Sequence, residues 1–321
     1  MKQVIITGAT GFIGSRLVRM LLDDNIQVLA IGRKDWKDVD PLRLQPNNNL
    51  TYLCTDMKDI KSLPEKLKKI GWSIDSDGNS VFFHFAWGGL GQLSDLDVSA
   101  QIDNINWTTD AFVSAESIGC SKFVHVGTME ESFADNYLKL DYKYNDEYNR
   151  HVVYSIAKKY AREMLKALSS NSKINLMFGT NSHVMGPNDD KDSFLQKTLI
   201  KLRNNEKLEF TSGEQIFDVI SVRDCAYAYK LIGEKGKSNK EYWIGSGAPR
   251  TLKEYINIMA KLYPSDQILE FGKVFYNDVM LKYEDFSIDS LREDTNFIPG
   301  QSYEDTVHEL YNWLENSDLN E

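Results

Sequence analysis

The stretch "ITGATGFIGSRL", Ile6 to Leu17, opens five residues into the chain and sets Gly8, Gly11 and Gly14 at three-residue intervals. Before it stands "QVIITG", an apolar run of buried-strand character. After it Phe12, Ile13, Leu17, Val18, Leu21 and Leu22 recur at helical spacing. Two readings compete: a plain turn between a strand and a helix, or a loop that brings backbone against a pyrophosphate. Gly8 suits a tight turn, Gly11 lets backbone approach phosphate, and Gly14 lets the helix pack closely on the strand. A helix N-terminus near Gly11 adds free N–H groups and the positive end of a dipole. A lone GxGxxG is a weak signal, and this spacing is GxxGxxG. Its place between a strand and an amphipathic helix favours dinucleotide binding over the turn.

Working outward, β-rich runs alternate with helical ones. "IQVLAIG", "LTYLCTD" and "VFFHFAW" read as the second to fourth strands, and a helix is expected over Val98 to Ile118. "KFVHVGT" is a fifth strand, Tyr154 to Leu168 a helix, and "INLMFGT" a sixth strand. This is the pattern of an α/β, doubly wound parallel sheet covered on both faces. After about Thr180 the pattern changes. A "GPNDD" loop, a helix over Phe194 to Leu202, short strands in "KLEF" and "QIFDVISV", a strand in "EYWIGSG" and two late helices follow. The expected organisation is a dinucleotide-binding domain over 1–180, with further contributions around 222–245. A smaller, interleaved substrate domain is expected mainly over 181–321.

The 321 residues suffice for a substantial core, and 42% hydrophobic with 26% charged residues is ordinary for a globular protein. A formal charge of -10 argues against nucleic acid or an anionic membrane as partner, and makes any anionic substrate depend on a local basic site. Cys54, Cys120 and Cys225 are odd in number and widely spaced, so they are expected to be buried fillers. No His, Cys or Asp cluster has metal-ligand spacing. No signal peptide or spanning run is apparent, so a cytoplasmic location is expected.

Other residues fit a dinucleotide site. Asp56, after the third strand, is placed to accept from an adenine amino group, or is simply a strand-end carboxylate. The second strand ends "AIGRK" without the acidic residue that holds the ribose of NAD. Arg33 and Lys34 stand there instead and suit a 2′-phosphate, which favours NADP, with NAD possible. In "YSIAK", Tyr154 and Lys158 are four residues apart on one helix face. An ammonium beside the phenol favours the phenolate and brings a tyrosine into acid–base range. Alone, YxxxK is a common accident. Here it follows a strand ending at Thr128, whose hydroxyl either polarises a substrate oxygen or bonds to backbone.

These motifs, in this order, resemble the extended short-chain dehydrogenase/reductase family, the nucleotide-sugar epimerase, dehydratase and reductase group. "TGATGFIG", "TD" at Asp56, "HFA" at His84 to Ala86, Asn104, Thr128 and "YSIAK" all match, while "MGP" at Met185 to Pro187 and "FDVISVRDCAYAY" match more loosely. The resemblance implies a Rossmann-type sheet, a nicotinamide cofactor, a Thr128–Tyr154–Lys158 site and a nucleotide-sugar substrate. Cofactor contacts would come from Gly8, Thr10, Gly11, Phe12, Ile13, Gly14, Arg33, Lys34, Asp56, Met57, Phe85, Ala86, Trp87, Asn104, Tyr154 and Lys158. Substrate contacts would come from Gly88, Thr128, Met129, Glu130, His183, Phe194 and Arg223. A homodimer built on the helices before Ile118 and after Tyr154 is also implied.

Departures from the family pattern narrow the reaction. Dehydratases carry an Asp–Glu pair after the Thr, whereas this chain has Met129 and Glu130, so the acid for water elimination is missing. Glu131 fits an "SxxEY"-like pattern of some sugar reductases, with Ser132 replacing the Tyr. His183 stands where Asn is common, and Phe217–Asp218 where Arg–Asp is common, which leaves Arg223, Arg250 or Arg292 as phosphate contacts. "AWGGLGQL", Ala86 to Leu93, is either a closing loop or a surface turn. His84 and His125 are expected to be satisfied core histidines. The aromatics Tyr142, Tyr144 and Tyr148 read as a solvated excursion. The expected activity is NADPH-dependent reduction of a keto group, at C4, on a nucleotide-linked deoxysugar. An NAD-dependent epimerase and a non-catalytic NADP-binding redox sensor are the alternatives.

Overall fold

The computed structural model describes residues 1–74, 79–89, 96–141, 143, 151–189, 193–263, 269–275 and 279–318. The expected excursion at Tyr142, Tyr144 and Tyr148, and the Leu90 to Leu93 end of the glycine-rich loop, lie outside the described residues.

Six parallel strands, β1 (Gln3–Thr7), β2 (Gln27–Gly32), β3 (Leu50–Cys54), β4 (Ser80–His84), β5 (Lys122–Thr128) and β6 (Asn175–Asn181), join an edge strand, Glu241–Ile244, in one sheet. The spatial order is edge strand, β6, β5, β4, β1, β2, β3. It reverses between β1 and β4, the switch point where open α/β sheets bind ligands. The register brings Thr7 beside His84, His84 beside His125, and Thr128 beside Asn181, so the strand ends gather along one rim.

Among the described residues there are ten helices: α1 (Phe12–Asp23), α2 (Leu63–Lys69), α3 (Val98–Ser117), α4 (Glu131–Tyr137), α5 (Val152–Ser169), α6 (Phe194–Arg203), α7 (Val222–Lys235), α8 (Leu252–Leu262), α9 (Asp289–Thr295) and α10 (Tyr303–Asp318). All five residues of β1 are buried, as a central parallel strand requires. Val4 and Ile6 face the layer of α1 and α7, with Leu17, Val18, Ala226 and Leu231. Ile5 faces the layer of α3 and α5, with Phe112, Ala115 and Leu165. A third cluster joins α6, α8 and α10 through Leu199, Ile256 and Val307.

The expected strands and long helices are present, with differences of detail. "VFFHFAW" ends as a strand at His84. "QIFDVISV" breaks at buried Asp218 into Ile216–Phe217, paired antiparallel to Arg250–Thr251, and Val219–Ser221, paired parallel to His183–Met185. The short helices α2, α4 and α9 carry too few turns to show a periodicity in sequence. Cys120 and Cys225 are buried, but Cys54 is exposed at the end of β3, because that strand is the sheet edge. Among the described residues no helix is long and apolar enough to cross a membrane.

His84 bridges the rim. Its Nδ1 lies 2.8 Å from Thr7 Oγ1 and its Nε2 lies 3.2 Å from Thr108 Oγ1. His125 is also fully buried, but neither ring nitrogen has a hydrogen-bond partner, so it is not the satisfied core residue expected. Burial pushes the His84 pKa down to about 3. An unfolded histidine gains its proton near pH 6.5, so the unfolded state binds more protons between those values. The stability contribution is therefore full above pH 6.5 and falls as pH drops. His84 alone should cost about 2 kcal/mol at pH 5 relative to pH 7. Urea unfolding at the two pH values checks this, and equal stabilities would contradict a neutral buried imidazole.

Candidate active site

The glycine loop has the close contacts that dictate its residues. Gly8 has φ +67°, and a Cβ there would lie 2.8 Å from Ala86 N and 2.9 Å from Phe85 C. A Cβ at Gly14 would overlap the Gly8 carbonyl, so α1 can sit this close to β1 only without a side chain. A Cβ on Gly11 would meet only Gly8 O, at 3.1 Å. Gly11 is the N-cap of α1, with no side-chain cap and no acidic residue in the first turn. The first N–H groups thus have no side-chain acceptor, a chemistry suited to a pyrophosphate. The cradle fits a dinucleotide.

Around it, Thr10 approaches the end of β2, where a Cβ on Gly32 would lie 3.2 Å from the Thr10 methyl. Arg33 and Lys34 follow, both exposed, with their carbonyls taken by Cys54 Sγ and Tyr52 Oη. Asp56 caps the short helix that begins at Met57, accepting from Lys58 N at 3.1 Å, so part of its capacity is already local. Phe85 N bonds Thr7 O at 3.2 Å, and Ala86 N lies 3.4 Å from Thr7 Oγ1. Asn104 does not reach outward. Its amide donates to Gly88 O at 2.7 Å and Ala100 O at 2.9 Å and accepts from Gly88 N at 2.9 Å, pinning the loop after β4.

The rim of β5 assembles the predicted triad. The Thr128 hydroxyl lies beside the Tyr154 phenol and eases it slightly toward the phenolate. Lys158 Nζ donates to Val126 O at 3.1 Å and sits 3.9 Å from the centroid of Trp87. Trp87 is itself fixed by Gln101 Oε1 at 2.9 Å and meets Tyr154 edge-on. Here the electrostatics depart from expectation. Burial, reinforced by the carboxylates of Glu130 and Glu131, pushes the Tyr154 phenol well above its ordinary range. The ammonium is held 6.0 Å from the ring centroid and does not offset this. Burial also lowers Lys158, against the pull of Glu131, to about 8.

The loop after β5 carries Met129, buried with Phe133, Tyr137, Val152 and Phe286. Glu130 pairs with His151, Oε2 to Nδ1 at 3.1 Å. His151 escaped the sequence reading. It precedes α5 in the left-handed region, with φ 53°, where histidine is tolerated better than most residues. Arg162, also missed, holds Glu131 at 2.6 Å, and its place at Lys158+4 on α5 was the available signal. His183 lies beside Phe217, and burial lowers its pKa to about 4. Phe194 is exposed at the start of α6. Arg223 is not brought to the triad. It is exposed on α7, across the sheet from α5, beside Met20, Asp24 and Lys230. Arg250 is engaged by Glu304 at 3.3 Å.

A glycine cradle at the switch point of a doubly wound sheet, beside a Thr–Tyr–Lys triad, defines the class of dinucleotide-dependent enzymes. The profile of the NAD dependent epimerase/dehydratase family matches residues 4–245, and the chain belongs to that family. It is 27% identical to a CDP-abequose synthase of Salmonella typhimurium over 294 residues, 86% of this chain and 87% of that one. It is 25% identical to a dTDP-4-dehydro-6-deoxy-D-allose reductase of a Streptomyces species over 248 residues, 74% of each. A UDP-glucuronic acid 4-epimerase structure from Bacillus cereus superposes with a TM-score of 0.77 at 19% identity, covering 98% of this chain and 99% of that one. The last likeness establishes the fold. The extended short-chain dehydrogenase/reductase resemblance read from the motifs therefore stands, and the chain is an NAD(P)-dependent enzyme.

If Lys158 holds a dinucleotide hydroxyl as an ammonium, affinity should fall as pH rises through about 8. Titrating NADPH at pH 7 and at higher pH tests this. Lys158→Met should bind weakly and lose the pH dependence, and an unchanged profile in that variant would remove Lys158 from the cofactor site.

Proposed function

We propose that the protein uses NADPH to reduce a keto group, at C4, of a nucleotide-linked deoxysugar. The observation that carries this reading is the placement of the Thr128 hydroxyl beside the Tyr154 phenol at the end of β5, with the phenol kept protonated by burial. Reduction of a carbonyl needs a proton donor at the developing alkoxide, and a phenol raised above its usual pKa is charged with that proton at neutral pH. The relative named as a reductase of a dTDP-4-dehydro-6-deoxy sugar supports C4 as the position.

On this reading residues 1–180 hold the cofactor and 181–321 mainly the substrate. The backbone of Gly8, Thr10, Gly11, Phe12, Ile13 and Gly14 binds the pyrophosphate, Arg33 and Lys34 the 2′-phosphate, and Asp56 and Met57 the adenine side. Phe85, Ala86 and Trp87 flank the nicotinamide end, with Asn104 acting through Gly88. Lys158 binds the ribose. A nicotinamide held there would supply the reducing equivalent. Tyr154 then protonates the alkoxide oxygen, and the Thr128 hydroxyl donates to the same atom. Gly88, Met129, Glu130, His183 and Phe194 line the sugar. Met129 cannot donate the proton that dehydration requires.

Tyr154→Phe removes one hydroxyl, so folding and NADPH binding should survive while turnover falls about 10²–10⁴-fold. A folded variant with wild-type turnover would remove the assignment. Arg33→Ala should cost NADP about 1.5–3 kcal/mol and NAD far less. NADPH should be consumed in step with keto-sugar, and turnover without net oxidation would favour the epimerase.

A homodimer is part of the same reading. Val98, Ile102 and Val113 on α3 and Tyr160 on α5 are each about half exposed, an apolar surface suited to a four-helix interface. Sedimentation should give twice the chain mass, and Ile102→Glu should give the monomer.

A further inference from the structure

Behind the end of β5 lies a buried ion pair that the reaction outlined above does not use. The Glu131 carboxylate is 3% exposed. One oxygen accepts from Arg162 Nε at 2.6 Å and the other from the Thr128 backbone N–H at 2.9 Å. Arg162 is 5% exposed, and its Nη2 donates to Thr180 Oγ1 and its Nη1 to Glu241 Oε2, both at 2.7 Å. One guanidinium thus joins α5 to the start of α4, to β6 and to the edge strand. Gly127 makes room for it, because a Cβ there would overlap Glu131 Oε1 and lie 2.8 Å from Arg162 Nη2.

The pair is also tied to the triad through the helix. Tyr154, Lys158 and Arg162 stand at successive four-residue steps on α5. Glu131 favours the ammonium of Lys158, and Arg162 opposes it. The other charges that face this group are Glu130 and Glu131 on Tyr154, Glu241 with Lys166 on Arg162, and the buried rings of His84 and His125, which feel Lys158.

We propose that Glu131 and Arg162 are positioning residues. Their ion pair fixes the Thr128 backbone and presents a balanced charge behind Tyr154 and Lys158, so the two act on the chemistry through the triad without touching the reactants. This rests on the triad reading above. Removing one partner both frees Thr128 and unbalances the charge, whereas removing both restores the balance but not the tether.

The test uses the full chain and three variants: Glu131→Gln, Arg162→Met and the double variant, which leaves no unpaired buried charge and guards against a simple failure to fold. Each single variant should lower kcat roughly 10–100-fold, the cost of a misplaced reacting group. NADPH affinity at pH 7 should change little. The alkaline limb assigned to Lys158 should move in opposite directions. It should go down by about one pH unit in Glu131→Gln, where Arg162 keeps only Glu241 as a carboxylate partner, and up by a similar amount in Arg162→Met. The double variant should return the limb near the wild-type position while kcat stays low, and Arg162→Lys should recover the limb more fully than kcat. The same limb, read from the pH dependence of NADPH affinity, needs no sugar substrate. Lowered kcat with an unmoved limb in both single variants would reduce the pair to structural support and overturn the proposal. So would wild-type kcat in both. A fully active Tyr154→Phe would instead overturn the triad reading itself, so the two failures are distinguishable.

Discussion

The close approach of Gly8 to Ala86 and of Gly14 to Gly8 governs the rest of the molecule. Two helix and strand ends can meet at the β1–β4 switch point only if no side chain stands between them. Where they meet, the first turn of α1 points its unpartnered N–H groups along the same rim on which β4, β5 and β6 end. A single Cβ at Gly14 would push α1 off β1 and break the α1–α7 layer with it, because Leu17, Val18 and Leu21 pack from that helix. Packing and anion binding here are one constraint, not two.

The polar groups on the rim follow a second rule: each buried one is either paired or kept neutral. His84 is neutral between two threonines, and His125 beside it is neutral without a partner. Glu131 and Arg162 neutralise one another. Lys158 is the intermediate case, a buried ammonium whose nearest supports are one carbonyl and the face of Trp87. Its depressed pKa follows from that sparse support. A cation–π contact contributes more as water is removed from it, which makes Trp87 a larger part of the site than its place in a glycine-rich loop suggests.

The sequence disclosed what local patterns control. Parallel strands buried on both faces appear as apolar runs, and α1, α3 and α5 carry enough turns for their faces to show. The triad was legible because a four-residue spacing on a helix and a strand-end Thr both survive as motifs. What escaped depends on tertiary placement. Arg162 meets Glu131 across 31 residues, and His151 meets Glu130 across 21. Asn104 fitted a cofactor contact by resemblance, yet its amide is consumed by the Gly88 loop. Arg223 is a basic residue beside a recognisable block, but α7 carries it to the layer opposite α5. No spacing rule foretells that.

The acidic balance of the chain gives these local arrangements their purpose. With a formal charge of -10, the long-range field opposes a dinucleotide or a nucleotide sugar. Over distances beyond about 10 Å that repulsion is screened at ordinary salt, so binding is decided by groups close at hand. Backbone N–H groups at α1 cannot be neutralised by pH or by a neighbouring carboxylate, and the first turn of α1 contains no acidic residue. Arg33 and Lys34 project from the β2 end, where no carboxylate precedes them on the strand. Glu130 and Glu131, the carboxylates nearest the triad, are occupied by His151 and Arg162. Unpaired, they would raise Tyr154 with a full charge. Pairing them keeps uncompensated negative charge away from the Tyr154 phenol.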